Sequence, residues 1–340
     1  MNFSCILGSL LGTAVGDALG LPYEGLSRKR VAALGKIRHR FLFGRGMFSD
    51  DTEHTLMLAA AMHGHRDDVN AFQRSFAWKL RWWLLGLPAG VGLSTAKAIF
   101  RLWLGFPPQK AGVSSAGNGA AMRSAIVGVF WADDIAMRHA FALAACRVTH
   151  TDPRAEESAL LVAEAAALAV NRVPTAESLD RLRPLVKSVI MKEQFQILEQ
   201  ALSDRESVHE FATRVGCECG VSGFAPRTVA VALYSWLRHR GDFATAVRSV
   251  IECGGDTDTV AAITGGISGA EVGKAGIPRE WIDHICDWPV SVGHICEVAT
   301  ALADNSPQTP CVSWLFVRIR NFFFLAVVLL HGFRRLLPPY

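Results

Sequence analysis

Apolar residues recur at helical spacing from one end of this chain to the other, while the alternation of β-branched residues that a sheet needs is scarce. Ala155 to Ala169 is a clear case, as is Pro184 to Leu202, whose Glu, Gln and Lys fall on one side. Breaks fall at turn-forming clusters: Gly86-Leu87-Pro88, Phe106-Pro107-Pro108, Thr151-Asp152-Pro153 and His239-Arg240-Gly241-Asp242. No internal repeat, low-complexity linker or long charge run interrupts the pattern. The expectation is an all-α body of many helices joined by short loops, forming one domain over residues 1–304. Residues 305–340 read as an appendage, in which Asn305-Ser306-Pro307-Gln308-Thr309-Pro310 is a linker and the remainder an apolar C-terminal tail.

Composition narrows the function. Half of the residues are hydrophobic and 19% are charged, enough for a sizeable core. The net charge of +4 is mild. Basic residues fall in separated groups, such as Arg38, His39, Arg40 and Arg45, or Arg238, His239 and Arg240. That distribution argues against a nucleic-acid binder, which would concentrate them in a patch or stripe. It still favours an anionic ligand such as a pyrophosphate. The eight cysteines are dispersed, and Cys217 with Cys219 lacks the second pair a zinc site would need. They read as free, buried thiols of a cytoplasmic protein.

Met1 to Gly20 is apolar, lacks a basic leader and contains Asp17, so it reads as a buried first helix rather than a signal peptide. Phe322 to Leu330 is a nine-residue apolar run flanked by Arg318, Arg320, Arg334 and Arg335. It is shorter than the roughly 20 residues a membrane span requires. Packing on the body or on a second subunit is the first expectation, and a helix lying on a membrane surface is the less favoured one. A monomer or a dimer would both be consistent.

The chemistry concentrates at two acidic helix starts. Ser49-Asp50-Asp51-Thr52-Glu53 runs into an apolar helix, and so does Gly254-Gly255-Asp256-Thr257-Asp258-Thr259. One Ser, Thr or Asp would suffice to cap the first turn. The surplus acids are the signal, because adjacent carboxylates repel unless a cation or solvent neutralises them. At about 4 Å the repulsion is about 4 kcal/mol for an effective dielectric of about 20. Oxygen-only donors suit magnesium, manganese or calcium and do not suit zinc. An EF-hand is excluded, since its loop pattern is absent. The Gly-Gly before Asp256 would permit tight backbone approach.

Two further segments support these. Gly16-Asp17-Ala18-Leu19-Gly20-Leu21-Pro22-Tyr23-Glu24-Gly25 places glycines and a proline around two acids, as if the backbone approached a ligand; a local side-chain-to-backbone hydrogen bond would equally explain Asp17. Ser114-Ser115-Ala116-Gly117-Asn118-Gly119 places small residues before a helix, whose exposed N–H groups would suit an anion. It is not a Walker A loop, and Asn-Gly would also pass as an ordinary turn.

Taken in order, Gly16 to Gly20 with Glu24, Ser49-Asp50-Asp51-Thr52, Gly117-Asn118-Gly119-Ala120-Ala121-Met122-Arg123 and Gly254-Gly255-Asp256-Thr257-Asp258-Thr259 resemble the ADP-ribosylglycohydrolase family. Thr149-His150-Thr151-Asp152-Pro153 and Val221 to Val229 agree, and the likeness covers about residues 5 to 300. That family includes dinitrogenase-reductase-activating glycohydrolases and hydrolases acting on ADP-ribosylated arginine or serine. The resemblance implies an orthogonal all-α bundle with a central cleft holding two Mg²⁺ or Mn²⁺ ions. Ser49, Asp50 and Asp51 would supply ligands from one side, and Asp256, Asp258 and Thr259 from the other. Ser49 stands where Thr is more usual, which keeps the hydroxyl. Glu24, Asp51 and Asp256 would be the catalytic acids. Ser114, Ser115, Gly117, Asn118 and Gly119 would hold the pyrophosphate, and His150, Gly223 and Phe224 would line the ADP-ribose cleft. A core histidine is the alternative for His150. The expected substrate is an ADP-ribosylated protein, with arginine favoured over serine as the linkage. A non-cutting ADP-ribose-binding module and a di-metal phosphoesterase are the alternatives, the latter weakened because only the neighbouring His54 accompanies the acids.

Overall fold

The protein is described here from a computed structural model covering residues 2–304 and 310–336. It is 71% helical, with no strand among the described residues, so the all-α expectation holds. Of the expected linker, Asn305 to Pro310, all but Pro310 lies outside the described residues.

Two helices form the axis. The first, Phe3–Gly20, is buried at every position from Cys5 to Gly20. A helix that is apolar all round belongs inside a protein, and this one lies against Thr257–Gly276 for nearly its whole length. Every fourth residue of the first helix along this seam is glycine. A Cβ added at Gly8, Gly12, Gly16 or Gly20 would lie 2.1–2.3 Å from a backbone oxygen of Gly269, Gly265, Ala261 or Thr257 respectively. The partners descend as the glycines ascend, so the helices are antiparallel and their backbones touch. Gly16 and Gly20 therefore serve helix contact and not the ligand approach that the sequence suggests. The antiparallel seam sets the end of the first helix, with Glu24 just beyond it, beside the start of the Thr257 helix.

Asp50–Gly64 packs against the first helix, and Val69–Leu85 packs on Asp50–Gly64. Ala125–Phe130, Pro153–Val170, Ala225–Arg238 and Phe243–Glu252 complete the bundle. The Ala155 to Ala169 pattern lies inside Pro153–Val170, whose N-cap Asp152 accepts from Arg154 N at 2.9 Å. The Pro184 to Leu202 pattern needs correction: Pro184 belongs to a 3₁₀ turn, Arg183–Leu185, and the helix is Val189–Ser203. Ser188 ends the turn by adopting extended backbone and capping Met191 N. All eight cysteines are free, but only Cys5, Cys146, Cys217 and Cys253 are buried; Cys286 and Cys296 are half-buried, and Cys219 and Cys311 are exposed.

The nine-residue apolar run is the middle of a much longer helix, Trp314–Arg334. Arg320, which flanks the run in sequence, lies inside this helix. In the fold its guanidinium is buried, bonded to Asp287 at 2.6 and 2.8 Å, to Glu53 Oε1 at 3.0 Å and to Phe48 O at 2.6 Å. Asn321 donates to Gly86 O at 2.9 Å. Those distant partners anchor the helix on the body.

Candidate active site

Neither acidic helix start is capped by its own side chain. Ser49 and Asp256 hold the N-cap positions without a capping bond. The Asp50 helix is capped instead by Asp17 of the first helix, whose carboxylate accepts from Ser49 N and Oγ at 2.9 Å, from Thr52 N at 3.1 Å and from Thr52 Oγ1 at 2.6 Å. A carboxylate at a helix N-terminus satisfies orphan N–H groups and complements the helix dipole. The bond is thus long-range, not local. Burial outweighs these hydrogen bonds and pushes the Asp17 pKa up to about 6.

The second helix start is placed by its glycines. Gly254 and Gly255 have φ of 72° and 83°, a region that L side chains rarely occupy. A Cβ on Gly255 would lie 2.0 Å from Val221 O. Through this gap Gly25 N bonds Gly255 O, Gly255 N bonds Leu26 O, Val221 N bonds Gly254 O and Asp256 N bonds Val221 O, at 2.7–2.9 Å. The clasp gathers Glu24, Gly223 and Asp256 at one place, fulfilling the tight approach expected of Gly254-Gly255.

The two starts meet. Thr259 Oγ1 donates to Asp51 Oδ2 at 3.3 Å across a sequence separation of 208 residues, and Ser49 Oγ lies 3.3 Å from the same oxygen. Asn118 Nδ2 donates to Asp256 Oδ2 at 2.7 Å. Asp258 Oδ1 accepts from Thr259 N at 2.9 Å. Burial, then the charges of Asp17, Glu53 and Glu24, pushes Asp50 up to about 8. Asp51 and Asp258 are raised well above the carboxylate range by burial first and neighbouring acids second. Glu24 stands on the rim, where desolvation of its carboxyl and the charge of Asp256 raise it.

This donor set fits hard cations. Its side-chain atoms are all oxygen, its acids raise one another as they would without a counter-charge, and Asp51 Oδ1 is buried with no hydrogen-bond partner. Among the described residues no three His, Cys, Asp or Glu side chains already form a clamp by themselves. A cation would therefore be held by carboxylates and hydroxyls together, drawn from both helix starts.

Beside the acids opens a cleft of about 450 Å³, a normal size for a small-molecule site. Glu24, Ser49, Asp50, Asp256, Asp258 and Thr259 line one side, with Asp51 one layer deeper. Gly117, Asn118, Gly119, His150 and Gly223 line another. His150 is bonded through Nδ1 to Thr149 Oγ1 at 2.8 Å, and its ring fills the space beside Gly117 and Gly119. Burial, then Arg123, lowers its pKa to about 3, so it is neutral. Three expected residues stand back from the cleft wall. Ser114 is exposed, Ser115 bonds Ser94 Oγ at 2.8 Å, and the Phe224 ring lies 5.4 Å under the Arg154 guanidinium. The 114–119 segment leads into a 3₁₀ turn, Ala121–Arg123, and only then into a short helix, so the helix-terminus anion argument does not apply there.

Some of the wall was not foreseen. Leu93, Ser94 and Thr95 start the Leu93–Trp103 helix, and the small residues Gly90 and Gly92 before them were a usable signal. Phe324 and Val328 come from the terminal helix, and nothing near them in sequence points to a cleft.

Comparison with known proteins follows the same line. The family model described as ADP-ribosylglycohydrolase matches residues 2–310. An uncharacterized protein of Archaeoglobus fulgidus is 34% identical over 82% of this chain and 90% of its own length. ADP-ribosylarginine hydrolase Tri1 of Pseudomonas putida is 27% identical over 88% of this chain and 78% of its own. A solved structure titled ADP-ribosylglycohydrolase-related protein complex superposes with a TM-score of 0.64 at 27% identity, covering 89% of this chain and 98% of that one.

Proposed function

The chain belongs to the ADP-ribosylglycohydrolase family of enzymes, and from that premise we propose that it hydrolyses the glycosidic bond between ribose C1 and a protein side chain, arginine in preference to serine, with the help of two divalent cations. The products are free ADP-ribose and the restored side chain. The arginine preference rests on similarity to a protein named as an ADP-ribosylarginine hydrolase.

Cleavage at the anomeric carbon passes through an oxocarbenium-like state, so the site must orient the ribose and manage one proton. Ser49, Asp50, Asp51, Asp256, Asp258 and Thr259 would hold Mg²⁺ or Mn²⁺, which would supply Lewis-acid polarisation and the positive charge these acids lack. Glu24, on the rim with a raised pKa, is suited to protonate the leaving group or accept a proton from the attacking water. Asp256, aimed by Asn118, is the second candidate for that exchange. Neutral His150 and the Gly117–Gly119 loop form the opposite wall, suited to the nucleotide.

One observation carries this reading: Thr259 and Asp51, from the two acidic helix starts, are in hydrogen-bond contact. The experiment is release of ADP-ribose from proteins modified on arginine or on serine, with Mg²⁺ and with excess chelator. Asp50→Ala and Asp256→Ala should each abolish release in a folded protein. Normal turnover in either variant, or in chelator, would reject the cation role; faster release from serine would reverse the linkage.

A further inference from the structure

The terminal helix Trp314–Arg334 is turned inside out. Arg320 and Asn321 face the body together with Phe324 and Val327, while Phe316, Phe322, Leu329, Leu330 and Phe333 are 52–70% exposed. A helix that ends at water carries its charges outward and its apolar stripe inward. Here only 22% of the apolar stretch is buried, against 94% for the first helix, although both are long and apolar enough to cross a membrane by length and composition.

The apolar surface continues on either side. Trp314 meets Trp82, and Trp82 meets Trp78 and Trp103, with ring centroids 5.9–6.2 Å apart; all four indoles are partly exposed. On the other flank Phe43 is fully exposed and sits at φ 60°, an uncommon conformation for a bulky residue. Next to it lies a basic cavity of about 780 Å³, lined by Lys36, Arg38, Arg40, Arg248 and Arg334, with Glu280 its single acid.

Charge selects the occupant. Residues 25–49 contain seven Lys and Arg and no Asp or Glu; residues 69–132 again contain seven and none; residues 305–340 contain four arginines and no acid. Arg123 and Arg320 within them are buried and add nothing to the surface charge; the face is charged by Lys36, Arg38 and Arg40 at the cavity, Arg81 over Trp78 and Arg318 over Trp314. A second copy would bring like charge against like, which disfavours self-association through it. An anionic bilayer surface matches every part: apolar side chains enter the acyl boundary, indoles settle at the headgroup level and Lys and Arg meet lipid phosphates. We propose that this face docks the protein on anionic membrane surfaces, with the terminal helix lying in the plane of the interface. Arg320, held by Asp287 and Glu53, keeps the helix on the body, so it does not cross the bilayer. Phe324 and Val328, on the inner side of the same helix, line the cleft, which places the candidate active site directly behind the docked surface. The inference does not depend on the reaction assigned above.

The test is flotation of the full chain with vesicles of phosphatidylcholine alone and of phosphatidylcholine with phosphatidylglycerol. The bound fraction should be at least about tenfold higher on the anionic vesicles, should fall in high salt, and should come with a blue shift of indole emission. Leu329→Glu with Leu330→Glu, both exposed positions, should reduce binding about tenfold with helix content unchanged. Trp78→Ser, outside the terminal helix, should weaken binding severalfold and guards against local unfolding of that helix. Failure to float, equal binding to neutral vesicles, or a dimer that the Leu329/Leu330 variant disrupts would each overturn the proposal.

Discussion

Two neighbouring regions stand in contrast: the seam between Phe3–Gly20 and Thr257–Gly276, and the acids gathered at its end, where the Asp50–Gly64 helix meets it. Along the seam backbone meets backbone, with glycine on both sides at Gly8/Gly269 and Gly12/Gly265. At one end, within a turn, burial and mutual repulsion push Asp50, Asp51 and Asp258 far from their usual ionisation. The seam gains by close packing and excludes every added carbon. The acid end makes hydrogen bonds of its own, but burial and like charge outweigh them, and its ionised form calls for a positive charge. The candidate site lies at the end of this closely packed seam.

This contrast can be broken or sharpened experimentally. The largest effect expected is on activity: Asp256→Ala should lower ADP-ribose release by about a thousandfold or more, equivalent to about 4 kcal/mol, in a protein whose thermal midpoint is unchanged or higher. A parallel loss of stability would mean that the acids belong to the scaffold. Next comes the seam. Gly12→Ala would add about 1 kcal/mol of helix propensity at an exposed site, yet here the added carbon would stand 2.1 Å from Gly265 O. It should instead destabilise by about 3 kcal/mol in urea unfolding, and a neutral result would show that the helices can separate freely. Asp17→Asn tests the junction between the two regions. Loss of the charged cap should cost about 1–2 kcal/mol and reduce activity by displacing the Asp50 helix start; unchanged activity would uncouple cap from site.

The smallest effect is a pH dependence. His54 is fully buried against Trp83, and both ring nitrogens lack partners. Burial first, then Arg123 and His150, holds its pKa well below the usual value of 6.5. Its contribution to stability is complete above the unfolded value and is lost as pH falls through the folded one. Between pH 7 and pH 5 the thermal midpoint of His54→Phe should thus fall less steeply than that of the parent. Identical slopes would show that His54 titrates freely.

Much of this was legible in the residues. Helical periodicity and turn clusters delimit most of the bundle, and surplus acids mark both helix starts. That the starts meet came from family resemblance, because spacing alone does not bring Asp51 to Thr259. The glycines at positions 16 and 20 were visible but pointed to a ligand, since their partners lie more than two hundred residues away. The reading of Asp17 has the same cause: a carboxylate that caps another helix looks local until the chain is folded, and the partners of Arg320, Glu53 and Asp287, are likewise distant in sequence. Phe324 and Val328 gave no signal at all, being ordinary members of an apolar run.

The central claim is that two acidic helix starts share cations at the end of a glycine seam. Counting bound Mn²⁺ by paramagnetic resonance tests it most directly. Two ions per chain are expected, with binding weakened both by Asp51→Asn on one helix start and by Asp258→Asn on the other. Full Mn²⁺ occupancy in either variant, or no binding in the parent protein, would contradict it.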